Sequence, residues 1–251
     1  MSNITDFIGE KSFITIEVKE SSVRMQGSTS ITEDFPILTI SQNFVVPKTG
    51  KYFVLVSGGG GSGGCAYGYS SAIHSTGGGS GGVAYGILNL TAAESISVTI
   101  GAGGAPAPSS SDGNDGGQTS FGSYLTSPLL SNKGKVQVDT ETNAEFPSDG
   151  YRVADLYSSS TLSYDETVLP DVGITLKSVS SPADGVTYIN STYSVNTGGG
   201  ASIITSGGAG SNNGLAGRNG SGGGGAGYGS TTSYTSGAGG DGFVLMCYLG
   251  V

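Results

Sequence analysis

The chain has 251 residues, 47 of them Gly and 8 Pro, with 35 % hydrophobic and only 12 % charged residues, against a usual charged share of about 25 %. Its net charge of −9, with ten Lys and Arg and no basic stripe, excludes a protein that neutralises nucleic-acid phosphates. No apolar run approaches the roughly 20 residues that span a bilayer, and residues 1–20 lack the basic and apolar regions of a signal peptide, so the expectation is a soluble product of a cytoplasm with no membrane insertion.

No stretch carries an apolar repeat at i, i+3, i+4 and i+7, so no helix is expected. Ser, Thr, Gly and Tyr dominate instead and favour strands and turns. The first strand candidate is residues 13–18, which alternate apolar and polar after Phe13. Residues 37–40 lead into a second at 44–46, and Pro47 to Gly50 reads as a turn because Pro presets φ at its start. Residues 52–56 form a continuous apolar run, the pattern of a strand buried on both faces. Residues 83–90 and 95–100 read as two strands about a turn at 91–94, residues 118–125 as another, and residues 243–248 as a final buried strand in which Cys247 is a small core residue.

Glycine clusters separate these strands: GGGGSGG at 58–64, GGGSGG at 77–82 and GGGGAG at 222–227. Gly58, Gly61 and Gly64 are spaced by three, as are Gly214, Gly217, Gly220 and Gly223, a phase continued by Ala226 and Gly229. Three residues per turn is the repeat of the polyproline-II helix, which has no internal hydrogen bonds. Its amides must find partners on neighbours once buried, and Gly at every third position lets two such backbones touch. Packed polyglycine-II helices are the resulting expectation, with flexible Gly/Ser linker as the alternative. Collagen is excluded by short triplet runs and scarce Pro. Residues 127–197 are poorer in Gly and richer in Asp, Glu and Tyr, and read as an inserted β module.

The expected fold is therefore all-β: a glycine-rich β-sandwich with packed polyglycine-II helices and an inserted β module. Residues 1–42 form an N-terminal attachment segment, residues 43–126 and 198–251 the glycine-rich domain, and residues 127–197 the insertion.

Catalytic chemistry is not legible. Residues 58–63 fit G-x-G-x-x-G after a strand, yet no helical pattern follows to meet a pyrophosphate and no acid stands about 20 residues on. Asp112 to Gly117 resembles part of a calcium loop but lacks the closing carboxylate, and reads as an Asx/Gly turn. His74 is the only histidine, and no nucleophile elbow precedes a helix. No enzyme, cofactor or metal is expected. A bridge between Cys65 and Cys247 requires their flanking strands to pair, and a cytoplasmic product keeps both reduced by default.

Residues 43–56 followed by GGGGSGG, residues 95–104 with GQTSFG at 117–122, and the ending GGDGFVLM at 239–246 together resemble the glycine-rich domains of bacteriophage tail-fibre proteins. The resemblance covers about half the chain, at 43–126 and 198–248, with the tip adhesins of T-even-like phages as the nearest functional analogy. It implies a non-catalytic receptor-binding adhesin in the virion, with loops between the glycine motifs contacting a bacterial outer-membrane protein or surface glycan. Carried onto this chain, the loops are residues 66–76, 105–115 and 211–235. The contact residues are Tyr67, Tyr69, Ile73, His74, Leu215, Arg218, Tyr228 and Tyr234. Tyr suits such a surface because it offers rigid amphipathic area at low entropic cost; packing over a glycine surface is the competing role. Another fibre or virion protein is the implied docking partner, with a homotrimer or a single tip copy both open. A structural minor virion or fibre-connecting protein without receptor binding is the alternative, and an ice-binding polyglycine-II protein is a third reading that the irregular Tyr and acidic loops disfavour.

Overall fold

The computed structural model describes residues 14–18, 22–26, 35–67, 72–139, 166–169, 174–178, 188–191, 194–196, 199–200, 202, 205, 207–211, 213–228 and 234–250. Eighteen strands and no helix occur among them. In chain order they are β1 (Ile14–Val18), β2 (Ser22–Gln26), β3 (Phe35–Pro36), β4 (Gln42–Val45), β5 (Gly50–Ser57), β6 (Cys65–Tyr67), β7 (Ala72–Ser75), β8 (Val83–Leu90) and β9 (Ser95–Thr99). They continue as β10 (Ser120–Phe121), β11 (Leu125–Thr126), β12 (Val136–Asp139), β13 (Glu166–Leu169), β14 (Ile174–Ser178), β15 (Tyr188–Ser191), β16 (Ser194–Asn196), β17 (Ala226–Tyr228) and β18 (Phe243–Gly250). The protein is all-β, as its patterning predicts.

The apolar core lies between two antiparallel sheets. One has the order β18-β5-β8 and the other β11-β10-β9-β4. In β9 the burial alternates, placing Ile96 and Val98 inward, as expected for a strand with one wet face. In β5 every residue from Tyr52 to Ser57 is buried, because this central strand pairs with β18 and β8 on its two edges and is covered on both faces. Phe53, Leu55, Val98, Phe121, Phe243 and Leu245 belong to one continuous cluster. Phe44 and Phe121 approach at 6.1 Å between ring centroids, and Phe53 and Tyr85 at 6.4 Å. Buried Tyr52 satisfies its hydroxyl by donating to the Lys48 carbonyl at 2.9 Å.

Neither turn expected from the sequence makes a hairpin within one sheet. Residues 46–49 carry the chain from β4 in one sheet to β5 in the other, and residues 91–94 carry it from β8 back to β9. The two corners are tied together: Val46 donates to Glu94 and Ala93 to Val46, each at 2.9 Å, and Ala92 donates to Thr49 Oγ1 at 2.9 Å. Residues 118–125, expected as one strand, instead hold the whole of β10 and the start of β11, separated at Gly122, whose φ of 53° breaks the extended backbone.

Beyond Ser57 the chain leaves the sandwich and enters a bundle of glycine segments. Residues 58–65 show its principle. The amides of Gly58, Gly61 and Gly64 donate to Gly82, Gly79 and Thr76; those of Gly59, Ser62 and Cys65 to Gly117, Asn114 and Ser111; those of Gly60 and Gly63 to Gly240 and Gly237, at 2.8–3.1 Å. Each set advances by three residues, so each neighbour is one third of a turn away, which is the geometry of polyglycine II. The carbonyls are spent likewise: Gly60 accepts from Gly104, Gly61 from Gly223, Ser62 from Gly134 and Gly64 from Ala226. Six segments thus surround one. Residues 220–226 are enclosed in the same manner, with Gly223 and Ala226 donating to Gly61 and Gly64 while the carbonyls of Ser221 and Gly224 accept from Gly240 and Gly237.

The phase at 214–229 does not run as one segment. The chain reverses at Asn219 (φ 40°) and Gly220 (φ 77°), closed by Ser221 donating to the Arg218 carbonyl at 2.9 Å. Residues 213–218 and 220–226 therefore pack as neighbours, with Gly224 donating to Leu215.

Side chains plug the bundle where no backbone oxygen is in place. Ser127 Oγ takes the Thr119 amide, Thr119 Oγ1 the Gly101 amide and Ser236 Oγ the Ala107 amide, at 2.8–3.0 Å. Asn132, only 3 % exposed, accepts from Gly116 at 3.0 Å and donates to the carbonyls of Gly59 and Ser80 at 3.0 and 3.1 Å. Residues 131–135 thus belong to the bundle although their sequence has a single Gly.

Residues of the N-terminal segment and of the 127–197 segment share a sheet, in the order β13-β14-β1-β2-β3, with β1 parallel to β14. Its strands β2 and β3 lie against β18. A second sheet, β12-β7-β16-β15, sits where residues 65–75 leave the bundle. Residues 1–13 and 140–165, with Tyr151, Tyr157 and Tyr164, lie outside the described residues.

Two substitutions separate a glycine the bundle requires from one it does not. A Cβ at Gly60 would overlap the Ser221 carbonyl, whereas one at Gly86 in β8 meets only Leu125 Cδ2 at 3.8 Å. Gly60→Ala is expected to cost at least about 3 kcal/mol in denaturant unfolding, and Gly86→Ala to change stability by less than about 1 kcal/mol. Equal effects would contradict the packing described. Asn132→Ala removes hydrogen bonds to three buried backbone groups and is expected to cost on the order of 3 kcal/mol; an unchanged unfolding midpoint would show that those groups are satisfied some other way.

Candidate functional site

The bundle has two ends. At one, residues 57 and 243 join it to the sandwich; at the other, residues 65–67, 72–75, 105–111, 136–139, 226–228 and 234–236 come together. The run from Gly58 to Cys65 sets these ends about 20 Å apart at about 3.1 Å per residue.

Local chemistry explains the convergence. β6 and β17 pair in parallel with Cys65 opposite Ala226, Ala66 opposite Gly227 and Tyr67 opposite Tyr228. Isolated bridges join Cys65 to Ser111 and Ser211 to Ala226. Ser109 Oγ donates to the Tyr234 carbonyl at 3.1 Å and accepts the Tyr234 amide at 3.2 Å, which fixes residues 105–111 against residues 234–236. The Thr235 amide reaches Asn213 Oδ1 at 3.3 Å. Described parts of all three loops expected from the sequence thus meet at this end, although residues 214–225 of the third run along the bundle to the turn near the sandwich and back.

Five of the eight singled-out residues fall in described segments of this end. Tyr67 and Tyr228 are register partners. Ile73 pairs with Val138 and Ser194, and His74 with Gln137 and Val195, in the middle of the β12-β7-β16-β15 sheet. Tyr234 is half-buried beside Cys65 and Ala226. Tyr69 lies outside the described residues. The other two are elsewhere: Leu215, 57 % exposed, is on the flank between Ala209 and Gly224, and Arg218 is at the turn nearest the sandwich.

The sequence reading missed the residues that hold residues 131–139 to this end. Asp112 Oδ1 accepts the Val136 amide at 3.0 Å, Asp112 Oδ2 pairs with Lys135 Nζ at 3.0 Å, and Asp115 Oδ1 accepts the Lys133 amide at 2.9 Å. The carboxylates that resemble a calcium loop are thus fasteners between two bundle segments. Among the described residues no group of three or more His, Cys, Asp or Glu could hold a metal ion. The G-x-G-x-x-G amides each donate to a neighbouring carbonyl, leaving none for a phosphate.

Burial opposes ionisation of Asp112, but the Val136 amide, the Lys135 ammonium and the Lys133 charge outweigh it and lower its pKa below 3.8. The depressed value means a contribution to stability that is present above the unfolded pKa and lost as pH falls through the folded one. Asp112→Asn is expected to lower stability at pH 7 by no more than about 1 kcal/mol, as befits an exposed pair. The difference from the parent chain should shrink below pH 4 and in high salt; a difference that grows there would refute the ion-pair account.

Both cysteines are free and buried. Cys65 is at the loop end and Cys247 pairs with Phe53 in the sandwich, so the pairing of β5 with β18 does not bring them together. Burial raises the Cys65 pKa, against a hydrogen bond from Ser109, and pushes the Cys247 thiol up to about 12. Neither is poised as a nucleophile at neutral pH.

The model of a family described as a glycine-rich domain matches residues 39–249, nearly the whole sandwich and bundle, and the chain belongs to that family. No curated protein and no solved structure matches it.

Proposed function

We propose that this member of the glycine-rich domain family is a non-catalytic adhesin at the tip of a bacteriophage tail fibre, attaching the virion to an outer-membrane protein or surface glycan of a bacterium. The observation that carries this reading is the convergence of three separate loops at the end of the bundle away from the sandwich. Binding surfaces are commonly loops displayed on a stiff frame, and a frame cross-linked by backbone hydrogen bonds in six directions is stiff. Tyr67 and Tyr228 are register partners of the parallel pair β6 and β17 at that end. The sheet of β1, β2, β3, β13 and β14 lies with β2 and β3 against β18, on the sandwich side, and is the natural place for docking onto another fibre protein. Modest affinity per copy suffices when several fibres engage one cell together.

The test is binding of labelled full-length protein to a panel of bacterial strains and isolated envelopes. Saturable binding to a few strains is expected, weakened at least about tenfold by Tyr67→Ala with Tyr228→Ala. Circular dichroism and melting of the double variant separate lost contact from lost fold. Failure to bind any envelope, or binding indifferent to a folded double variant, would sink the proposal.

A further inference from the structure

At the sandwich end of the bundle, apart from the loop cluster, an open groove of about 590 Å³ is lined by Thr39, Arg218, Asn219 and Asp241 over a floor of glycines. We propose that it binds an acidic sugar, a hexuronic-acid residue of a glycan, with the carboxylate on Arg218 and hydroxyls on Asp241, Asn219 and Thr39.

The groove is built rather than incidental. The backbone of Gly240 lies so close to Arg218 that a Cβ there would overlap the Arg218 main chain. The Arg218 amide is held by Ser221 Oγ at 2.7 Å, and Asn219 sits in the left-handed region at φ 40°. Asp241 is pinned twice: its Oδ1 accepts the Gly103 amide at 2.8 Å and its carbonyl the Gly220 amide at 2.6 Å. Among the described residues its second carboxylate oxygen accepts no hydrogen bond, and the residue lines the groove. Arg218 and Asp241 line the same groove, yet the ion pair found among the described residues is Lys135 with Asp112, not these two.

Two opposite charges held in one groove without pairing select a ligand that presents an anion and hydrogen-bond donors at different points. A guanidinium grips a carboxylate through two parallel N–H donors. An ionised Asp only accepts, so it suits sugar hydroxyls and repels a second anion. A compact anion such as phosphate would meet the repulsion of Asp241 together with the attraction of Arg218. An acidic sugar separates the two functions across its ring, and its remaining hydroxyls match Asn219 and Thr39. The net charge of −9 disfavours polyanions on the rest of the surface, so binding must come from the groove.

The experiment is calorimetric titration of the full-length protein with oligogalacturonate, and with its neutral methyl ester as comparison. Saturable binding of the acid is expected, at least about tenfold tighter than the ester. Arg218→Ala should erase that preference, while Asp241→Asn, which keeps an oxygen for the Gly103 amide and hence the fold, should weaken both ligands. No saturable binding at millimolar concentration, equal binding of acid and ester, or acid binding unaffected by Arg218→Ala would each overturn the proposal. The inference is separable from the adhesin reading, because the Tyr67 and Tyr228 variants leave the groove untouched and Arg218→Ala leaves the loop end untouched.

Discussion

A buried amide without a partner costs roughly 1–3 kcal/mol, and a polyglycine-II segment makes no internal hydrogen bonds. Every segment in this protein can be buried only because its neighbours take its amides and carbonyls. The segment at 58–65 spends its donors on three neighbours and its acceptors on three more, and residues 220–226 do the same. Such contacts need backbones to approach without an intervening Cβ, which is why the residues inside are glycine. Glycine also loses the most conformational freedom on folding, and the bundle buries few apolar side chains to offset that loss. The sandwich supplies the missing drive: β5 enters the bundle at Ser57 and β18 leaves it at Gly242, anchoring two segments in a core of Tyr52, Phe53, Phe121 and Phe243.

Departures from the glycine pattern fall where the hydrogen-bond network changes partner. Ser62, Thr119, Ser127, Ser221 and Ser236 are buried and each offers an oxygen to an amide that a carbonyl does not reach. Asn132 does more, since its amide group acts as both donor and acceptor, standing in for a stretch of backbone between residues 59, 80 and 116. Small polar side chains are therefore part of the frame.

Much of this was legible in the sequence where one physical rule dominates. The apolar run at 52–56 identified a strand covered on both faces, and the spacing of Gly58, Gly61 and Gly64 identified a threefold repeat, because burial and close approach each demand one residue type. The run at 214–229 misled for the same reason: Gly also serves the left-handed turn at 219–220, so the phase continues on paper through a reversal of the chain. Which strands pair was not legible, since the corners at 46–49 and 91–94 look like hairpin turns and only long-range contacts send β4 to β9 and β5 to β8 and β18. Residues 131–135 were assigned to the insertion for want of glycine. An outer segment needs small residues only on its inward side, and there Asn132 and Gly134 suffice. At the loop end, the three Gly-flanked loops could be found from their spacing, but the separation of Arg218 from Tyr67 and Tyr228 depends on the reversal the phase concealed.

The scarcity of side chains inside the bundle has a consequence for how such a protein can vary over generations. A Leu in an ordinary core can drift to Ile or Met, but nothing smaller than glycine exists, so an interior position such as Gly61, hard against the Asn132 carbonyl, has no conservative substitute. Exposed positions of the segments at the ends carry no such restriction, because apart from fasteners such as Ser109, Asp112 and Ser236 those segments are held by main-chain hydrogen bonds. Sequence change is thereby channelled away from the glycine interior and into the segments at its ends, so the surface displayed there can diverge on an architecture that stays the same.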